Sequence, residues 1–297
     1  MRRDYSHALV DPRADIAAII LSQGDRLSPL TDALSSVGAQ RDVVAERIVV
    51  WNGCSPLDLP DGLVDRAIEL ERNVGIPEGR NLGAAAADAP ILLFLDDDAR
   101  LLGETSLAAI VQAFRNDPDL GVLGLRLVDE HGDTSRRHVP RVGGSGADRP
   151  GEVTSFPGGA CCIRAAAFAA LGGFRGDYFY AMEETDLAWR MIDRGWTIRY
   201  APEHVVFHPR TQPSRHPEAA WRTARNRTWL AYRLLPLPLA PAYLTSWLLI
   251  TLARRSAPLG EYVRGVRDGW RTRVGPRRPL RWRTVWKLTR LGRPPIV

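Results

Sequence analysis

The stretch PILLFLDDDA, Pro90–Ala99, runs from five apolar residues straight into three consecutive carboxylates. An uninterrupted apolar run of strand length is the pattern of a strand buried on both faces, as in a parallel sheet covered by helices. Three acids at the end of such a strand are costly unless something compensates their charge. On extended backbone Asp96 and Asp98 point one way and Asp97 the other. Open α/β sheets bind ligands at the C-terminal edge of their parallel strands. Two hard oxygen ligands within reach of each other there suit Mg2+ or Mn2+, best shared with a diphosphate. The competing reading is an acidic turn in which Asp97 or Asp98 caps a helix.

The chain on either side supports a covered sheet. Ile16–Leu21 reads as a strand, and Ser28 and Pro29 as the N-cap and first residue of a helix with Leu30, Ala33, Leu34 and Val37 on one face. RIVVW, Arg47–Trp51, is a second strand, and residues 67–70 a short third. Gly79–Ala89 reads as a helix of small residues, followed after PILLFL by a helix over about 104–115 and the strand GVLGLRLV. This alternation predicts a mainly parallel sheet flanked by helices. Residues 129–157 lack periodicity, and a loop of that length in a compact domain is functional or mobile. Order returns with a strand, a short helix closed by Gly172-Gly173, and the capped helix Glu183–Gly195 with its Asp186/Arg190 pair at i,i+4.

Composition narrows the class. Hydrophobic residues make up 45% and charged residues 25%, which is ordinary for a globular chain of 297 residues. The three cysteines, Cys54, Cys161 and Cys162, have no CxxC spacing, which argues against a disulfide framework or a zinc site. The first fifteen residues lack an apolar segment, so no secretory signal is expected. Net charge is +6, yet residues 254–297 alone hold thirteen Arg/Lys against Glu261 and Asp268, leaving −5 on the rest. A basic tail on a slightly acidic body suggests an anionic partner. Before it, Leu234–Ala253 is uncharged for twenty residues but carries Pro236, Pro238 and Pro241. A buried segment, an interfacial membrane contact and a span all remain open there.

The order of motifs after residue 155 is specific. Gly172-Gly173-Phe174, Tyr178-Phe179-Tyr180, Glu183-Glu184, Asp186-Leu187, Arg190, Gly195-Trp196, Pro202 and His208 follow one another, with Asn73, Gly75, Arg80, Asn81, Gly83 and the Asp-x-Asp upstream. This ordered set, covering about residues 16–210, resembles family 2 glycosyltransferases of the GT-A fold, bacterial rhamnosyltransferases among them. The resemblance implies a GT-A domain over 1–215, with a nucleotide-sugar half (about 14–125) and an acceptor half (126–215). Residues 216–297 then form a helical extension, either packed on that domain or associated with a membrane.

The resemblance also implies roles. A divalent cation, Mn2+ or Mg2+, falls to Asp96, Asp98 and His208. Donor contacts fall to Ser22, Gln23, Asn52, Arg80, Asp96 and Asp97, and the acceptor side to Gly159, Glu183, Asp186 and Trp189. Glu184 becomes the base of an inverting transfer, although Asp is commoner at that position and Glu183 stays an alternative. Both acids also suit a helix N-terminus without any chemistry. Arg80 serves a phosphate or a structural ion pair, and Trp189, Trp196 and Tyr180 a sugar-stacking wall or the core. Relatives carry Asp where this chain has Trp51-Asn52, so no single nucleotide is implied.

The implied partners are a nucleoside-diphospho-sugar and a hydroxyl-bearing acceptor, which is a glycan, a glycolipid or a natural product, lipid-linked or free, with no nucleic acid. The basic tail adds an anionic membrane surface as a candidate partner. The implied location is cytoplasmic, either free or peripheral on the inner membrane face. Two rival readings are weaker. GDRLSPLT resembles a sugar-nucleotide pyrophosphorylase loop but lacks its second glycine and its lysine. A catalytically silent scaffold finds support only in the missing nucleotide-site Asp.

Overall fold

The computed structural model describes residues 14–210, 218–254, 257–272 and 274–296. Residues 1–13, on which the expectation of no secretory signal mainly rests, lie outside the described residues.

The first half is βα units. Strand β1 (Ile16–Ser22) leads to helix α1 (Leu27–Gly38), β2 (Ala45–Asn52), β3 (Arg66–Leu70), α2 (Ile76–Ala86) and β4 (Ile91–Asp96). After β4 come β5 (Arg100–Leu101), α3 (Ser106–Asn116) and β6 (Leu120–Val128). The long aperiodic segment holds two single 3-10 turns and the two-residue strand β7 (Gly151–Glu152). Then follow β8 (Ala160–Arg164), α4 (Ala165–Ala170), α5 (Glu183–Arg194) and β9 (Thr197–Phe207). Four helices follow among the described residues: α6 (Ala219–Leu234), α7 (Leu239–Arg254), α8 (Leu259–Arg271) and α9 (Trp282–Arg290).

All nine strands join one sheet in the order β3-β2-β1-β4-β8-β6-β9-β5, with β7 also on β9. The expected parallel pairing holds from β3 to β4 and between β6 and β9. Strand β8 enters antiparallel between β4 and β6. Every apolar residue of β4 is buried, as an interior strand requires. One face of the sheet packs on α1 and α3 through Leu30, Leu34, Ile110 and Phe114. The other packs on α5, α6 and α7 through Leu187, Trp189, Leu230 and Tyr243.

Helix boundaries differ from the sequence reading in two places. Helix α1 begins at Leu27, so Ser28 lies in its first turn and caps nothing. Helix α2 begins at Ile76, where Pro77 supplies a helix-ready φ, and ends at Ala86. Its small residues have a packing purpose: a Cβ on Gly79 would meet Leu21 at 2.4 Å, and one on Gly83 would meet Ile19 at 2.5 Å. The helix therefore lies flush on β1, which brings Arg80 to the end of β4.

The uncharged segment resolves into the end of α6, a proline turn and α7. No helix of the described residues is long and apolar enough to cross a membrane. Leu234, Leu235 and Tyr243 join the core, whereas Leu249 and Leu252 are exposed.

Candidate active site

Asp96 closes β4, and the chain turns at once through Asp97 and Asp98 into β5. Strand β5 pairs with the last residues of β9, Arg100 opposite Phe207, so His208 emerges beside the acidic turn. The backbone N–H of His208 also bonds Val128 at 2.9 Å. His208 Nε2 lies 3.4 Å from Asp98 Oδ1 and 3.6 Å from Asp96 Oδ2. One ligand atom from each of Asp96, Asp98 and His208 falls within 4.8 Å of the others. Two carboxylates and an imidazole are donors that Mn2+ accepts readily and Mg2+ less so.

Each of these carboxylates is pinned on its other oxygen by an arginine. Arg80, buried, donates to Asp96 Oδ1 at 2.8 Å. Arg26, on the turn after β1, donates to Asp98 Oδ2 at 2.5 Å and to Asp97 Oδ1 at 3.2 Å. The oxygens left over, Asp96 Oδ2 and Asp98 Oδ1, face His208. Asp97 turns away to accept from the Ser22 hydroxyl at 2.9 Å. Asp96 and Asp98 do act on one side, but through a turn rather than through strand alternation.

The same charges set the protonation states. Burial pushes Asp96 up, but bonds from His208 and Arg80 outweigh it and hold the carboxyl well below the ordinary range. Burial pushes His208 down, and Asp96 with Asp98 more than reverses that. Burial together with the charge of Asp98 drives Asp97 to about 6, against the pull of Arg26.

Arg80 Nη1 also reaches Glu184 Oε1 at 3.9 Å, so one guanidinium ties the acidic turn to the start of α5. Of the two glutamates there, Glu183 is buried with Oε2 unpartnered, whereas the Glu184 side chain keeps about a quarter of its surface exposed. Burial raises both carboxyls, and Glu184 raises Glu183 further.

The approach to α5 is strained. Phe179, Ala181 and Met182 all have positive φ, at 63°, 69° and 73°, which non-glycine residues seldom adopt. Asn226 on α6 holds this loop. Its side-chain amide donates to the carbonyls of Tyr178, Tyr180 and Ala181 at 3.0, 2.8 and 2.9 Å. The C-terminal helices thus help to place the two glutamates.

Several expected contacts are corrected by burial. Asp186 is fully buried and takes Arg190 at 2.5 Å, Arg233 and the Tyr178 hydroxyl, so it ties α5 to α6 and cannot meet an acceptor. Trp189 is fully buried against Tyr243, in the core. Asn52 spends both ends of its amide on Asn73 and the Val74 N–H, fixing the loop into α2 rather than facing a nucleotide. Gly159 sits under Asp96, whose N–H bonds its carbonyl at 3.1 Å, and so lies at the acidic turn rather than on an acceptor side. Ser22 is buried behind Asp97, while Gln23 is exposed at the end of β1. Trp196 backs onto Gly121, at the far end of β6.

Sequence reasoning missed Arg26, Asn226 and His138. Arg26 had a signal, since it sits in the turn after a strand that borders β4. His138 lies 5.6 Å from His208, ring to ring, in a polar cavity of about 460 Å³ that also includes Asp129, Arg137 and Arg210. Burial and Arg137 push His138 down to about 4. A larger cavity of about 980 Å³, bordered by Arg72, Glu78, Arg194 and Arg278, contains none of Asp96, Asp98, His208 or Glu184.

Solved structures share this architecture. GalNAc-T7 with UDP, GalNAc and Mn2+ aligns with TM-score 0.62 at 16% identity, over 89% of this chain and 55% of that one. S. aureus TarS with UDP aligns with TM-score 0.57 at 16% identity, covering 80% and 72%. A mannosyltransferase from Pyrobaculum calidifontis with GDP-Man and Mn2+ aligns at 0.54 and 18%, covering 84% and 78%. These likenesses show the GT-A fold. In sequence, the N-acetylglucosaminyl-diphospho-decaprenol L-rhamnosyltransferase of Mycobacterium tuberculosis is 25% identical over 72% of this chain and 81% of its own length. Residues 91–259, more than half of the chain and spanning the acidic turn, both glutamates and His208, match the family described as glycosyl transferase family group 2. The chain belongs to that family and is a glycosyltransferase.

Proposed function

We propose that the protein transfers a sugar, with inversion, from a nucleoside diphosphate to the hydroxyl of a lipid-linked acceptor. The observation that carries this reading is the convergence of Asp96 Oδ2, Asp98 Oδ1 and His208 Nε2, joined through Arg80 to Glu184. Asp96, Asp98 and His208 would hold the divalent cation, which supplies positive charge to the departing diphosphate. Arg26 and Arg80 fix the two carboxylates and turn the other oxygen of each toward His208. Glu184 accepts the acceptor hydroxyl's proton as that oxygen bonds the anomeric carbon and the sugar–phosphate bond breaks on the opposite face. Its raised pKa makes it a better proton acceptor near neutrality than an exposed glutamate. Glu183, buried beside it, supports its placement. The rhamnosyltransferase likeness favours a deoxyhexose donor and a diphospho-polyprenol-linked acceptor, which would meet at the cytosolic face of a membrane.

Calorimetric titration with UDP, dTDP and GDP, with and without Mn2+, tests the donor site. One diphosphate should bind only with the cation, and Asp98→Ala should abolish that binding. Equal binding with the metal chelated would sink the metal assignment.

A further inference from the structure

Eight of the twelve exposed large apolar residues among the described residues lie between Leu237 and Trp286, including every exposed tryptophan. Their arrangement on α8 is regular. Leu259, Val263, Val266 and Trp270 are spaced i, i+4, i+7 and i+11, which is one stripe of a helix. Val263 is 54% and Trp270 48% exposed. Arg264, Arg267 and Arg271 run along the edge of that stripe. Their acidic contacts are weak surface pairs, Arg264 with Glu218 at 3.8 Å and Arg267 with Asp268 at 3.5 Å.

The stripe cannot turn inward, because the flank beside it is already committed. Tyr262, Gly265 and Gly269 are buried on α6. A Cβ on Gly265 would meet the Trp221 carbonyl at 2.4 Å, and one on Gly269 would meet Thr228 at 2.7 Å. Trp221 Nε1 adds a bond to Asp268 at 2.9 Å. Helix α9 repeats the pattern. Trp282 and Trp286 are 54% and 63% exposed beside Arg283 and Arg290, while Thr284, Val285 and Leu288 face inward. Asp193 locks it there through the Thr284 hydroxyl at 2.6 Å.

We infer that the outward faces of α8 and α9 dock the enzyme on an anionic lipid bilayer. A helix lying in an interface puts apolar and Trp side chains into the acyl boundary and arginines among the headgroups. The +11 charge of residues 254–297 supplies the complement to anionic lipid. Docking would also orient the catalytic site, since α8 is fixed to α6, whose Asn226 holds the loop before Glu184. The inference extends the proposed lipid-linked acceptor, and its test uses neither donor nor metal, so either reading can fail alone.

The full chain is sedimented with phosphatidylcholine vesicles, with and without about a third phosphatidylglycerol. Binding is expected only with the anionic lipid. The triple variant R264Q/R267Q/R271Q should weaken it about a hundredfold, as should raised salt. Val263→Ser with Trp270→Ser should weaken it more than about tenfold. All five positions are exposed, so melting temperatures should not move and folding is controlled. No anionic preference, or unchanged binding by both variants, overturns the inference. So does a lipid-free dimer that these substitutions dissolve, or retention by nucleic acid in place of vesicles.

Discussion

Gly158→Ala is the sharpest probe of how the site divides its labour. A Cβ at Gly158 would stand 2.1 Å from Glu184 Oε1 and 2.8 Å from Arg80 Nη1. Gly158 does not have positive φ, so alanine suits its backbone, and the flexible glutamate gives way rather than the fold. Restoring ordinary contact at 3.4 Å moves the Glu184 oxygen by about 1.3 Å. A displacement of that size at a reacting group costs on the order of a hundredfold in rate, or about 2.7 kcal/mol. The neighbouring Gly159→Ala meets Asp96 Oδ2 at 1.9 Å instead, so it disturbs the metal side. Steady-state kinetics and calorimetry with the diphosphate and Mn2+ should separate the two. Gly158→Ala should lose kcat about a hundredfold with diphosphate affinity within about twofold. Gly159→Ala should lose the affinity itself, by more than about tenfold. If Gly158→Ala keeps more than about a third of kcat, or if both variants lose binding alike, Glu184 is not the group that takes the proton.

Three further outcomes follow from the same geometry. Asp186→Asn leaves Arg190 and Arg233 without their buried counter-charge, and should cost about 3–5 kcal/mol in denaturant unfolding; a loss below about 1 kcal/mol would contradict the hub assigned to Asp186. Glu183 keeps its proton in the folded state above the pH near 4.3 at which an unfolded glutamate releases it. The folded protein then binds more protons, so Glu183 makes stability fall as pH rises through that window. Glu183→Gln should therefore raise Tm more at about pH 8 than at about pH 5, and a gain that is the same at both would count against the buried, raised carboxyl. Asn226→Ala releases the loop before α5 and should lower kcat about tenfold or more with diphosphate binding retained; loss of binding in parallel would point to general unfolding instead.

Much of the fold is written along the chain because its signals are local. The apolar run before Asp96, the helix face of Leu30, Ala33, Leu34 and Val37, and the glycine stop at Gly195 each depend on neighbours within a few residues. The antiparallel entry of β8 is not written there, because a short buried strand reads the same in either direction. The family resemblance puts Asp186 and Trp189 on the acceptor side. On α5 they face the core, and burial overrules that placement.

By itself the sequence determined the covered sheet, the acidic edge, the paired glutamates, the histidine that follows β9 and the basic tail. Each is a matter of composition or short-range period, and the ordered motifs carried the family. Tertiary structure alone decided which charges meet. Arg26 reaches Asp98 across 72 positions, and Asn226 reaches the loop at Tyr178 across 48. Such pairs form because a buried charge or carbonyl must find a partner wherever the packed chain brings one. Local periodicity does not record that choice. The same holds for α8 and α9, whose apolar stripes are ordinary helical patterns until Gly265, Gly269 and Asp193 fix which side faces out.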